Sequence, residues 1–90
     1  MSVPKLHIIK LSDEFADAIL FGDKTFEVRE NDRGYQKGDL VQFDVIDKYQ
    51  ISTGHPLTEE TYRITYVLNG WGIEPKFVVF GIKNVRGEEE

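Results

Sequence analysis

Polar and apolar residues alternate over several short segments of the chain, and this period of two residues is typical of β-strands. Five segments have enough alternating or continuous apolar character for a strand to be predicted in each: residues 5–11, 24–30, 40–46, 61–68 and 77–82. The side chains expected to face the core are Phe26 and Val28 of the second strand, Val41, Phe43 and Val45 of the third, and Tyr62, Ile64, Tyr66 and Leu68 of the fourth. The pattern therefore predicts a fold built mainly from one β-sheet.

One helix of about ten residues is predicted between the first two strands. Ser12 is a good N-cap, and two carboxylates follow it in the first turn, where they complement the helix dipole. Apolar residues then recur at three- and four-residue spacing, at Phe15, Ala18 and Ile19. Gly22 is expected to end the helix in a left-handed conformation. With five strands and abundant turns, this single helix predicts a small α+β barrel.

The composition describes one small domain. The chain has 90 residues, of which 40% are hydrophobic and 30% are charged, and it contains no cysteine and two histidines. These values predict a single domain over residues 1–90 and make a disulfide or a thiolate metal site impossible. The longest apolar run has four residues, against about 20 for a membrane span, and the N-terminal segment has no apolar signal-peptide centre. We expect a cytoplasmic, monomeric protein without a metal or a cofactor.

The net charge is −5, but its distribution is uneven. Three of the negative charges belong to the glutamates at residues 88–90, which we expect to form a disordered acidic tail. Residues 24–37 instead carry four basic and three acidic side chains, a net charge of +1. This local reversal permits a small site for an anion, but it does not provide the broad basic face of a protein that binds duplex nucleic acid.

The second predicted strand has a polar face with two interpretations. Lys24 opens the strand, and Thr25, Glu27 and Arg29 follow on the same face. Such a face is usually solvated, and an exposed glutamate–arginine pair contributes about 0–1 kcal/mol. Alternatively, a barrel gathers this face into a cleft, where Arg29 could bind a phosphate or a base edge and Glu27 could orient it. The spacing alone leaves both interpretations open.

The residues around this strand resemble the signature of the ASCH domain, a member of the PUA-like superfamily. The signature is a helix followed by Gly-x-Lys-Thr-x-Glu-x-Arg, and residues 15–29 match it from Gly22 to Arg29. Residues 31–39, 64–68 and 77–80 are similar to a short branch of that family that is often encoded by phages and prophages. The resemblance implies a PUA-like pseudo-barrel that binds RNA or a nucleotide-like ligand, with Lys24, Glu27 and Arg29 in its cleft.

The predicted site combines this motif with residues of two loops. Trp71, between two glycines, could stack an unpaired base or fold back to plug the barrel. Tyr35 has the same two interpretations, and its polar loop favours an exposed ring. Arg33 could contact phosphate or serve solubility. The predicted ligand-binding residues are Lys24, Thr25, Glu27 and Arg29 in the cleft and Arg33, Tyr35 and Trp71 at its rim.

Two other functions are alternatives. One subgroup of the ASCH family consists of amidohydrolases that act on N4-acylated cytidine with a lysine, a threonine nucleophile three residues later and a downstream glutamate. Lys24 matches this lysine, but Glu27 occupies the nucleophile position, so a hydrolase would have to use Lys24 and Glu27 in another mechanism. The third possibility is a phage-type accessory protein that binds a host protein through its acidic surface.

Overall fold

The computed structural model describes residues 3–89, which form one five-stranded sheet with an α-helix packed against it. The elements are β1 (Leu6–Ser12), α1 (Asp13–Leu20), β2 (Phe26–Glu30), β3 (Leu40–Ile46), β4 (Thr61–Leu68) and β5 (Phe77–Asn84), with short 3-10 helices at Pro56–Glu59 and Val85–Glu89. The strand order is β1-β3-β4-β5-β2, in which β1 is parallel to β3 and the other neighbouring pairs are antiparallel. The sheet is a half-barrel, and the predicted α+β pseudo-barrel with one helix is confirmed.

The core is filled by alternate residues of the strands. Val41, Phe43 and Val45 of β3 are fully buried, as their alternation predicts. The segment between β3 and β4 also contributes a core residue, because the 3-10 helix Pro56–Glu59 packs against β3 and α1 and buries Leu57. The core thus includes a side chain from a segment outside the strands and the α-helix.

The face that α1 buries agrees only in part with the predicted one, which included Ile19. Ala16 and Ile19 are buried, whereas Phe15 is 42% exposed. Ile19 follows Phe15 by four residues and Ala16 by three, so the spacing fits a buried face with either residue. Burial of Ala16, the smaller of the two, lets the helix lie closer to the sheet. Gly22 has a φ of +85° and ends the helix as expected. Within the described residues, no helix is long and apolar enough to cross a membrane.

The two faces of β2 are reversed relative to the prediction. Phe26 and Val28, expected in the core, are 45% and 53% exposed, while Glu27 is 3% exposed and lies opposite the buried Phe80 of β5. Alternation determines which residues share a face, but it does not determine which face lies inside. The carboxylate can be buried here because cationic side chains reach it from both ends of the strand.

A β-bulge divides β4 into two halves with opposite phases. Its register shifts between Ile64 and Tyr66, so Tyr62 and Ile64 are buried as predicted while Tyr66 turns outward and is exposed. Val67 then packs against the core, and Leu68 does not continue the predicted stripe. The extra residue shifts the alternation by one position, which the apolar pattern alone does not reveal.

The C-terminal residues are more structured than the sequence indicates. Glu88 was expected in a disordered tail, but it lies in the 3-10 helix Val85–Glu89, and its carboxylate accepts a hydrogen bond of 2.5 Å from Arg63 Nε. An arginine on β4 thus provides a partner that charge counting along the sequence does not show. Glu90 lies outside the described residues.

Candidate functional site

The two edge strands of the sheet, β1 and β2, are bridged by side chains rather than by backbone hydrogen bonds. We call the gap between them the seam. Lys5 O accepts a hydrogen bond from Leu40 N, so alternation directs the carbonyl groups of Ile8 and Lys10 into the seam. Arg29 Nη2 donates to Lys10 O at 2.7 Å, and Arg33 Nη1 donates to Ile8 O at 3.0 Å. Two arginines therefore satisfy edge carbonyl groups that would otherwise lack a partner.

The buried carboxylate of Glu27 lies between two cations at this seam. Its Oε1 atom accepts a hydrogen bond from Lys24 Nζ, and its Oε2 atom accepts one from Arg29 Nε at 2.8 Å. Lys24 Nζ also donates to Phe26 O at 2.7 Å. A buried carboxylate is stable only when it is paired, and here both oxygens are paired. The cluster of one carboxylate and two cations keeps an excess of one positive charge.

A cleft of about 380 Å³ opens beside this cluster. We call it the basic cleft, and it is lined by Lys10, Leu11, Ser12, Phe15, Lys24, Glu27, Val28 and Arg29. Its lining residues include three cations and one carboxylate, so its balance is positive although the chain as a whole is acidic. The Lys24 ammonium lies 5.4 Å from the centre of the Phe15 ring, a cation–π arrangement at the wall of the cleft. The basic cleft therefore combines positive charge with an accessible aromatic ring.

The structure brings together three of the four residues predicted to line the cleft. Lys24, Glu27 and Arg29 are in direct contact and line the basic cleft. Thr25 is exposed and lines a separate cavity of about 210 Å³, and its carbonyl oxygen accepts a hydrogen bond from Ile82 N. The threonine hydroxyl therefore lies outside the cleft in which it was predicted.

The interpretation of Tyr35 as an exposed ring is wrong. Tyr35 is 5% exposed, and its ring centre lies 4.8 Å from that of His7 and 4.8 Å from that of Phe80. Asn31 Oδ1 accepts a hydrogen bond from Tyr35 N, which folds the polar loop back onto the barrel. Burial raises the pKa of the Tyr35 hydroxyl, so it remains protonated and uncharged. Tyr35 supports the barrel from inside, while Arg33 in the same loop spans the seam.

Trp71 is on the surface, away from the basic cleft. It is 91% exposed, so the interpretation in which it plugs the barrel is wrong. Trp71 has a φ of +54°, and its neighbours Gly70 and Gly72 also have positive φ angles. The indole of this left-handed turn points outward. It does not line the basic cleft. An exposed indole agrees with a stacking surface, but not at the predicted place.

Two features of the site were missed by sequence reasoning. Phe15 belongs to the predicted apolar face of the helix, although it forms a wall of the basic cleft. Ser12 also lines the cleft, and it is the N-cap of α1 by position, but its hydroxyl makes no capping hydrogen bond. Because β1 continues directly into α1, the start of the helix lies at the end of an edge strand. This connection could have indicated that Ser12 and Phe15 lie at the cleft.

A second polar pair is buried in the barrel. His7 Nε2 and Asp39 Oδ2 are 2.8 Å apart, and both residues are buried. Burial acts to raise the pKa of Asp39, but hydrogen bonds from His7 and from the backbone N–H groups of Lys5 and Gln36 outweigh it and hold the pKa below its usual value. No group of three or more potential metal ligands occurs among the described residues.

Comparison with protein-family models assigns the chain to a family. A family model described as "Domain of unknown function (DUF3850)" matches residues 6–82, which extend from the start of β1 to Ile82 in β5 and include the whole basic cleft. No curated protein matches the chain. The resemblance to the ASCH signature therefore stays a prediction.

Proposed function

This chain belongs to the DUF3850 family, whose function is unknown, and we propose that it binds RNA or a modified nucleoside in the basic cleft. The main support is the arrangement of Lys24 and Arg29 around the buried Glu27 at the wall of a concave site. The resemblance of residues 15–29 to the ASCH signature selects the same three residues and implies the same class of ligand.

The cations keep donor groups for a ligand. Arg29 uses Nε and Nη2 in its contacts with Glu27 and Lys10, and the guanidinium has a further nitrogen, Nη1, with two N–H groups. Lys24 uses two of the three N–H groups of its ammonium. Because the buried carboxylate fixes both side chains, little conformational entropy would be lost when they bind a phosphate or a base edge.

The charge and volume of the site favour a locally recognised ligand. The chain has a net charge of −5, so binding driven by a long run of phosphate contacts is unfavourable. Ligand pockets in proteins have volumes of about 300–1,000 Å³, and the basic cleft, at about 380 Å³, is near the small end of this range. A single-stranded segment or a free nucleoside fits these properties better than a duplex.

A binding assay with charge-removing variants tests the proposal. The wild type is titrated with short single-stranded RNAs and with nucleosides, and the Lys24→Met and Arg29→Met variants are compared with it. Each of these variants keeps an unbranched apolar stem but removes the charge, and we expect affinity to fall by about tenfold or more. Lys48→Met and Arg86→Met are the matched controls, because both residues are exposed and lie outside the basic cleft.

Two results would contradict the proposed function. If RNA and nucleosides fail to bind, or if Lys24→Met and Arg29→Met bind as well as the controls, the proposed function is wrong. Thermal unfolding of each variant must show that it remains folded, since Lys24 and Arg29 also neutralise Glu27.

A further inference from the structure

The basic cleft is the first of three adjoining cavities along β2, and the charge of their lining reverses from one end to the other. The second, about 430 Å³, shares Lys10 and Arg29 with the basic cleft and is lined by Ile8, Ile9, Lys10, Arg29, Glu30, Asp32, Arg33, Tyr35 and Asp44. Its three cations and three carboxylates balance. We call it the neutral cavity.

The third cavity, about 650 Å³, shares Glu30 and Asp32 with the neutral cavity. Its charged lining consists of Glu30, Asp32, Glu74 and Lys76. Three carboxylates against one ammonium make it negative, and we call it the acidic cavity. An excess of positive charge therefore occurs only in the basic cleft, at the end of this row of cavities near Lys24.

A nucleic-acid strand that leaves the basic cleft along β2 meets two obstacles. The first is the hydrogen bond from Arg29 Nη2 to Lys10 O, which crosses the seam where the basic cleft adjoins the neutral cavity. The second is the pair of carboxylates of Glu30 and Asp32, which line both the neutral and the acidic cavity and repel a phosphate that passes from one to the other. The row of three cavities thus opposes a phosphodiester chain that extends beyond the basic cleft.

Phe15 provides the apolar contact that a nucleobase requires. Its ring is partly exposed at the wall of the basic cleft, beside the Lys24 ammonium. Stacking on an aromatic side chain accepts any base, because every base has a π-face. Ser12 adds a hydroxyl group that makes no capping hydrogen bond in the helix. Ring stacking and anion binding can therefore occur side by side in the same cleft.

We propose that the basic cleft binds one nucleoside monophosphate, with the base on Phe15 and the phosphate at Lys24 and Arg29, and that it excludes a longer strand. This inference rests on the proposed function and narrows its ligand class. A phosphate monoester carries a charge of about −1.5 to −2 at neutral pH, which matches the excess of two positive charges in the cleft lining. A phosphodiester group carries only one negative charge, and the nucleic-acid strand continues on both sides of it.

Calorimetric titration of the wild type tests the ligand class. The probes are the four ribonucleoside 5′-monophosphates, the corresponding nucleosides, inorganic phosphate and an RNA pentanucleotide without terminal phosphates. We expect at least one monophosphate to bind about tenfold or more tightly than its nucleoside, than inorganic phosphate and than the pentanucleotide. Equal or tighter binding of the pentanucleotide, or of inorganic phosphate alone, would overturn the inference.

The Phe15→Leu variant tests the stacking residue. Leucine preserves an apolar side chain of similar bulk but has no π-face, and we expect affinity for the monophosphate to fall by about five- to tenfold. Phe21→Leu is the matched control, because Phe21 is exposed at the end of the same helix and does not line the cleft. Equal affinity of the two variants would show that Phe15 does not stack the base.

The failure of this inference is distinguishable from the failure of the proposed function. If RNA binds in a way that depends on Lys24 and Arg29 while every monophosphate fails to bind, only the single-nucleotide inference is wrong. If nucleosides, monophosphates and RNA all fail to bind, the proposed function itself is wrong.

Discussion

Arg29 Nε lies 2.8 Å from Glu27 Oε2 on β2, an edge strand of the sheet. Lys24 reaches the other carboxylate oxygen from the residues that precede the strand. The two cations make it possible to bury Glu27, and Glu27 in turn holds the cations at the wall of the basic cleft. The same three side chains therefore stabilise the seam and form the candidate binding site.

The first prediction concerns the stability provided by Glu27. Glu27→Gln removes the charge that neutralises Lys24 and Arg29, both of which are half-buried, and we expect a loss of about 3 kcal/mol in the free energy of unfolding. Urea denaturation at neutral pH measures this loss. Glu30→Gln, at an exposed position of the same strand, is the control and should change stability by no more than about 0.5 kcal/mol. Equal stability of the two variants would show that the ion-pair cluster does not stabilise the fold.

The second prediction concerns the bulge in β4. A Cβ atom on Gly81 would lie 2.6 Å from Thr65 Oγ1, which is too close for any real contact. We expect Gly81→Ala to destabilise the protein by about 1–3 kcal/mol. Adding Thr65→Ala removes the oxygen and should restore most of the loss, so a double-mutant cycle in urea denaturation isolates the clash. Additive effects of the two substitutions would contradict this explanation.

The elements of the fold could be predicted because each has a local cause. The alternation at 40–46 and the combination of Ser12 and Gly22 each specify an element, and both are found where expected. The orientation of β2 could not be predicted in this way. The alternating pattern is the same whether Phe26 or Glu27 lies inside, and the outcome depends on cations that only the folded chain brings together.

The candidate site could be predicted in part, because some of its residues are also placed by local sequence. Lys24, Glu27 and Arg29 lie on one short segment, so the spacing along that segment places them together. Phe15 and Tyr35 are positioned by packing between distant segments, and their exposure is opposite to what their neighbours in the sequence indicate. A polar loop can bury its aromatic residue, as the hydrogen bond from Tyr35 N to Asn31 Oδ1 shows.

The third prediction concerns Trp71. Because its indole is exposed and does not line the basic cleft, we expect Trp71→Ala to bind nucleotides with the affinity of the wild type. The intrinsic fluorescence of the wild type should be strongly quenched by iodide, and a nucleotide in the cleft should not protect it. Weaker binding by the variant, or protection from iodide by the nucleotide, would show that the loop at 69–72 folds over the ligand.

The fourth prediction concerns hydrolysis of N4-acetylcytidine. Both carboxylate oxygens of Glu27 are paired with cations, and the Thr25 side chain lies outside the basic cleft, so neither residue is placed to attack an amide or to activate a water molecule. We expect incubation with N4-acetylcytidine to release no cytidine above the rate in buffer, as measured by chromatography. Turnover that disappears in Lys24→Met would instead support the hydrolase alternative.

The fifth prediction concerns the loss of stability in acid through Asp39. Its pKa is held below the usual value, so the folded state binds the proton more weakly than the unfolded state does. The stabilisation is therefore complete above the usual carboxyl pKa of about 4 and is lost as the pH falls through the lower pKa of the folded state. Asp39→Asn removes this titration.

The measurement is the free energy of unfolding in urea between about pH 6 and pH 2.5. We expect the difference between the wild type and Asp39→Asn to be largest at the upper end of this range and to shrink below about pH 4. Asp32→Asn, at an exposed position in the neighbouring loop, is the matched control and should keep the acid dependence of the wild type. If Asp39→Asn loses stability in acid as steeply as this control, then protonation of other carboxylates limits the acid stability of the barrel.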